Sequence, residues 1–324
     1  MELIARLLAS QPRALYWAGQ LSLVTVLTLA SFLLGAGDGV LATLAPDASE
    51  TGLPVLLRLA GALALSLVVI ALWRLASLLP RGQQIAASWI TLLTLLLAFF
   101  YSFDLSFEFI ARKIGLLVTH GVFTTLYISA IAIALATVIA LVGAIAKLSQ
   151  NGLVYGFATF YTSLFRGLPL LMQIYIIYLG LPQVGIVIDA VPAGILALSL
   201  CYGAYMTEIF RAGIESISKG QWEGAKALGL SPNQTMFLII LPQAMRVIVP
   251  PTGNQFISML KDSSLVSVVG VWEIMYLART LGQTEFRHIE MLITASMIYW
   301  LLSICLELLQ ARIEERFGRS QRRA

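Results

Sequence analysis

Charge is what this sequence has least of. Only 12% of its 324 residues are Asp, Glu, Lys or Arg, against about 25% in ordinary soluble domains. Such a chain has too few ionised groups to cover a water-facing surface. With 59% hydrophobic residues and a mean hydropathy of +0.87 it reads as an integral membrane protein. The net charge of +4 does not point to nucleic acid; in a membrane protein it reflects Lys and Arg in cytoplasmic loops. Histidine is nearly absent: His120 and His288 stand alone, with neither triad partners nor metal-ligand spacing. The two cysteines, Cys201 and Cys305, lie in separate apolar runs, so no disulfide framework is expected. There is no Gly-x-x-x-x-Gly-Lys-Ser/Thr loop, so any nucleotide hydrolysis belongs to another polypeptide. Alternating segments of about ten residues, the mark of an outer-membrane barrel, are missing too. No internal repeat is visible.

What is there is a series of apolar runs of roughly 20 residues, the length of a membrane-spanning helix. The fold class is all-α integral membrane, with about eight transmembrane helices. Three fall in an N-terminal extension, residues 1–103: about 14–34, 54–72 and 85–101. The first run is long and leads directly towards another span, so no cleavable signal is expected. Residues 104–117, DLSFEFIARKIGLL, mix charge with aromatics and read as an interfacial amphipathic helix on the outer side. A five-helix core follows over 118–312, with spans at about 118–145, 153–181, 193–211, 236–274 and 290–309. The basic tail, 313–324, fits the cytoplasm. An even number of spans places both termini there. The seventh run is too long for one simple helix and carries Pro250, Pro251 and Gly253, so a break or kink is expected at 250–253.

The most polar long interval of the second half is residues 220–251. Glu223, Ala225, Lys226, Ala227 and Leu228 favour helix. Gly229 supplies a stop with Pro232 just beyond it, and Ser231 or Asn233 is placed to cap the next helix. A short rigid helix between two spans is a shape that a soluble partner can grip. Glu223-Gly224-Ala225, then Gly229, then Ile239-Ile240-Leu241-Pro242, resembles the cytoplasmic EAA loop of ABC importer permeases. In that family the loop forms the coupling helix held by the ATPase. Gly220, Glu223, Gly224, Ala225, Leu228 and Gly229 are the coupling residues so implied. Gly224 departs from the family's Ala, a change that loosens a helix by up to about 1 kcal/mol.

Four further stretches resemble the polar amino acid subfamily: 121–129 (GVFTTLYIS), 161–173 (YTSLFRGLPLLMQ), 204–217 (AYMTEIFRAGIESI) and 254–267 (NQFISMLKDSSLVS). Asn254, Lys261 and Asp262 lie at membrane depth, where a charge costs a few kcal/mol or more unless paired or wetted. A translocation path explains them; so does a Lys261–Asp262 pair that only fixes the bend. The resemblance implies that Asn254, Gln255 and Asp262 line a substrate pocket, with Asp262 suited to an α-ammonium group. Relatives that carry cationic amino acids look acidic at the Gln255 position, which is neutral here. Gly167 and Leu168, in Arg166-Gly167-Leu168-Pro169, join the path by the same resemblance, although the family commonly has Thr where Leu168 stands. Arg166 is placed either to hold a substrate carboxylate or to pair with Glu208 or a lipid phosphate. Glu208 and Arg211, three residues apart, share a helix face and suit a salt bridge.

The resemblance implies the transmembrane permease subunit of an ATP-driven importer of polar amino acids, working by alternating access in a bacterial inner membrane. Its partners would be two ABC ATPase subunits, a second permease chain (identical or related), a periplasmic amino-acid-binding protein and membrane lipid. No catalytic residue, metal site or bound cofactor is expected on this chain; ATP and Mg would sit on the ATPase. The rival classes are an ion-gradient-driven secondary amino acid transporter, disfavoured by the missing repeat, and a membrane-embedded enzyme or sensor, which lacks any catalytic constellation.

Overall fold

The computed structural model describes residues 24–26, 28–29, 55–101, 103 and 105–318. The expected span at 14–34 and the end of the tail, 319–324, therefore fall wholly or mostly outside the described residues. The described residues are helical throughout their regular parts, with no strand among them. Six of their helices are long and apolar enough to cross a bilayer, and a bent pair makes a seventh. In a bilayer every backbone N–H and C=O must be satisfied within the protein, which an uninterrupted helix does by itself.

The chain divides into two compact units, Met1–Ser102 and Phe103–Ala324. In the first, α1 (Val55–Ser77) and α2 (Arg81–Tyr101) are joined by a tight turn. The Gln84 side chain donates to the Ser77 and Leu79 carbonyls at 3.0 and 2.7 Å, covering groups left open where α1 ends. No residue of α2 is buried.

The second unit contains α3 (Phe107–Lys147), α4 (Gly152–Gly167), α5 (Leu170–Val184), α6 (Ala190–Glu215), α7 (Lys219–Ala227), α8 (Pro232–Val269), α9 (Ile274–Thr284) and α10 (His288–Gly318). Its core is the seam between α3 and α6, the most extensive helix pair among the described residues. Ile128, Ala132, Ala136, Ala140 and Ala144 repeat every four residues along α3, and all are fully buried. Gly143 continues the seam: a Cβ there would overlap the Thr207 side chain of α6. Lipid is as apolar as leucine, so such helices associate through close packing, and small residues permit it.

Three expectations are corrected. First, 104–117 is not a separate helix: Phe107–Leu116 runs through a π turn, Leu117–Gly121, into the rest of α3. Its apolar face, Phe109 and Leu117, is covered by Ile274, Leu277 and Ala278 of α9 and Met291 of α10. Second, α8 does not break at 250–253; it stays helical through Pro250 and Pro251 to Asp262 and tightens to a 3-10 turn over Ser263–Val269. The prolines lack the N–H groups that would meet the Arg246 and Val247 carbonyls. Close by, Thr252 donates to the Ile248 carbonyl at 2.8 Å, and Gln310 of α10 ties the two spans together by donating to the Pro250 carbonyl at 3.1 Å. Third, the run 153–181 is not one straight span. It turns by 106° between α4 and α5. Leu168 takes an extended conformation (φ −90°, ψ 139°), as the residue before a proline prefers, and Pro169 follows it (φ −58°, ψ 133°). The basic tail begins as helix, since α10 runs to Gly318.

Candidate substrate path and coupling helix

The corner at Leu168–Pro169 brings Arg166-Gly167-Leu168 against the middle of α6. Gly167 and Leu168 are exposed there. The Arg166 guanidinium lies 5.4 Å from the centre of the Tyr205 ring, and the Tyr205 hydroxyl donates to the Arg166 carbonyl at 3.4 Å. Tyr205 neighbours Tyr202, with ring centres 6.4 Å apart. The Tyr202 hydroxyl donates to Asp262 at 2.7 Å. A cation on α4 and an anion on α8 are thus joined through two aromatic rings on α6.

Lys261 is exposed, and no ion pair links it to Asp262 among the described residues. The paired-bend alternative is therefore not what holds Asp262. Asn254 belongs to a different neighbourhood: it accepts from Gln310 of α10 at 3.0 Å, beside the proline pair. Eight residues of helix, about 12 Å, separate it from Asp262. Gln255 is half-buried.

Arg166 also reaches Glu208, at 3.6 Å. Glu208 is a hub: Lys147 at the end of α3 contacts it, and Arg211 pairs with it at 3.1 Å. Arg211 bonds Glu215 as well. Three cations from three helices therefore converge on one carboxylate. The Lys147 side chain is only 9% exposed, and its ammonium also donates to Thr162 of α4 at 3.1 Å.

Below this cluster α6 ends at Glu215, and α7 begins four residues on at Lys219. One face of α7 is held. Ala225 is buried, Trp222 packs on the main core, and Gln221 accepts from Gln243 of α8 at 3.0 Å. The other face, with Gly220, Glu223, Gly224 and Leu228, is open, and Leu228 is 80% exposed. The helix ends in a Schellman turn. The Leu230 N–H reaches the Ala225 carbonyl at 3.1 Å and the Gly229 N–H the Lys226 carbonyl at 3.0 Å. Gly229 has φ +75°, the left-handed conformation this turn demands. Of the two capping candidates the structure uses Ser231, which forms a reciprocal capping box with Gln234.

Sequence reasoning missed Lys147, Gln173, Tyr202, Tyr205, Glu273 and Gln310. Glu273 is fully buried between the last two spans and caps α9, accepting from the N–H groups of Met275 and Tyr276 at 2.8 and 2.7 Å and from the Tyr299 hydroxyl. Burial pushes its carboxyl up to about 7; the three donors oppose that rise only in part.

This arrangement has known counterparts. Residues 139–319 match the family described as binding-protein-dependent transport system inner membrane component. The L-cystine transport system permease protein TcyB of Bacillus subtilis (strain 168) is 37% identical over 204 residues, 63% of this chain and 87% of that one. The arginine transport system permease protein ArtQ of the same organism is 38% identical over 200 residues, 61% of this chain and 91% of its own. Among solved structures, one described as the crystal structure of an amino acid ABC transporter with histidines superposes with a TM-score of 0.62 at 34% identity, covering 66% of this chain and 99% of that one. An inward-facing form of the MetNI methionine ABC transporter shares the fold, with a TM-score of 0.55 at 20% identity over 62% of this chain and 96% of that one. The chain belongs to the binding-protein-dependent transport inner-membrane component family. It is a multi-pass permease subunit of an ABC importer.

Proposed function

We propose that the chain carries polar amino acids across a bacterial inner membrane by alternating access, with both termini in the cytoplasm. Two ATPase subunits grip the open face of α7, and a periplasmic binding protein delivers the substrate. A second permease chain completes the path. ATP and Mg belong to the ATPase, and this chain carries out no hydrolysis itself. The observation that carries the reading is α7: a short helix anchored on one face, bare on the other and closed by a Schellman turn. An amino acid has one anionic and one cationic end, and Arg166 and Asp262 offer the complementary pair on either side of the two tyrosines. A charge-assisted contact of this kind contributes about 1.5–3 kcal/mol. The names of the relatives, cystine and arginine permeases among them, support the substrate class.

The test is uptake of labelled L-glutamine, L-arginine and L-cystine by cells making the complex, with the ATPase co-purified in mild detergent. Glu223→Ala together with Gly229→Val is expected to release the ATPase and stop uptake while the chain stays in the membrane. Uptake that survives loss of ATP while the ion gradient is kept would overturn the reading in favour of a secondary carrier.

A further inference from the structure

The corner between α4 and α5 leaves the carbonyls at the end of α4 without helical partners, those of Phe165 and Leu168 among them. A helical carbonyl pairs with the N–H four residues ahead. For Phe165 that residue is Pro169, which has no N–H. For Leu168 it is Met172, whose N–H goes instead to the Pro169 carbonyl at 3.0 Å. These two are met by one side chain. Gln173 of α5 donates to the Phe165 carbonyl at 2.8 Å and to the Leu168 carbonyl at 2.9 Å. The Cys201 thiol of α6 adds a weaker donor to Phe165 at 3.8 Å. Gln173 is 3% exposed, and its Oε1 has no partner. A residue kept only for packing gains nothing from an amide so placed, because an unmet buried acceptor is unfavourable. Its two N–H groups are the reason to keep it.

Arg166, Gly167 and Leu168 lie between the two clamped carbonyls or on them. We propose that Gln173 is a positioning residue for transport. Reaching across the corner from α5 to α4, it holds Arg166 over Tyr205 and keeps the Gly167–Leu168 turn facing the substrate, and so sets substrate affinity. The proposal rests on the reading above that this corner borders the amino acid path.

The experiment uses the whole complex in proteoliposomes, with ATP-driven uptake of labelled L-glutamine, L-arginine and L-cystine measured separately. Gln173→Leu removes both donors at similar volume. In parallel, spin labels at Phe157 on α4 and Val184 on α5, both well exposed, report the corner's angle in a Cys305→Ser background. The expected result is a broadened label distance, an apparent KM raised about tenfold, as losing the partner of a buried polar group implies, and an unchanged maximal rate. An unchanged distance overturns the clamp itself. A broadened distance with unchanged KM removes the corner from the substrate path and overturns the positioning role, whereas a wild-type complex that takes up none of the three amino acids with ATP overturns the functional reading instead. A fall in maximal rate or in membrane abundance at constant KM marks Gln173 as merely structural and overturns the proposal.

Discussion

Replacing Gly229 by alanine tests the coupling helix without touching a single contact. A Cβ at this position meets nothing within 4 Å, so no steric cost arises. The whole penalty is conformational. A φ of +75° costs a residue with a Cβ about 1–2 kcal/mol. If the Schellman turn frays to relieve it, the Leu230–Ala225 and Gly229–Lys226 hydrogen bonds go with it. The ratio of closed to frayed turn should fall about tenfold, since about 1.4 kcal/mol is a factor of ten. Asparagine tolerates the left-handed region and should lose less. Gly224→Ala should act in the opposite direction. It lies inside α7 with nothing within 4 Å of a Cβ, and alanine favours an exposed helix over glycine by about 1 kcal/mol. The assay is titration of the purified chain in nanodiscs with its ATPase subunit. Affinity should rank Gly224→Ala above wild type, then Gly229→Asn, then Gly229→Ala. Equal affinity of Gly229→Ala and wild type would refute the argument, as would a Gly224→Ala variant that binds more weakly.

Three further outcomes are expected. Gly143→Val overpacks the α3–α6 seam against Thr207 and should cost about 1–3 kcal/mol; Thr207→Ala in the same chain should restore much of it in thermal unfolding, and strictly additive effects would contradict the packing. Glu208→Gln strips Lys147, Arg166 and Arg211 of their shared anion and should cost about 2 kcal/mol, more than Glu215→Gln at the exposed end of the network; equal losses in a thermal melt would count against Glu208 as the hub. Glu273 has a folded-state pKa raised from 4.5 to about 7. Its contribution is therefore fully present below pH 4.5 and is lost as pH rises through 7, a swing of about 3 kcal/mol. Thermal stability in detergent should fall across that window in the wild type and change less in Glu273→Gln; parallel profiles would exclude Glu273 as the source.

The parts of the molecule legible in the sequence are those decided by neighbours along the chain. Helix formers, a glycine stop and a capping serine give α7 and its turn, because every group involved lies within about a dozen residues. Span lengths are legible for the same reason, bilayer thickness being fixed. What escaped depends on groups brought together by folding. Prolines at 169 and 250–251 look alike as local signals, yet only the first turns the chain. At 169 the preceding residue adopts the extended conformation that proline prefers. At 250–251 the helix continues, tied there to α10 by the Gln310 side chain, 60 residues away, which donates to the Pro250 carbonyl. Asp262 was visible as a charge in an apolar run, but its partner Tyr202 lies 60 residues earlier and carries no local mark. Gln173 left one faint trace: a proline inside a span creates an orphan carbonyl, and a buried amide four residues beyond it is a ready donor.

The alanine seam has a mechanical consequence. From Ala132 to Ala144 the buried stripe of α3 presents only methyl groups to α6, so fewer long side chains are there to slide past one another or swap rotamers. They behave as a single strut rather than as two rods. Such a strut links Glu215, where α6 meets the segment leading to α7, to Ala190 at the other end, roughly 39 Å away by helical rise. Flexing is left to the joints that the strut lacks: the Leu168–Pro169 corner, and the left-handed Gly270 between α8 and α9.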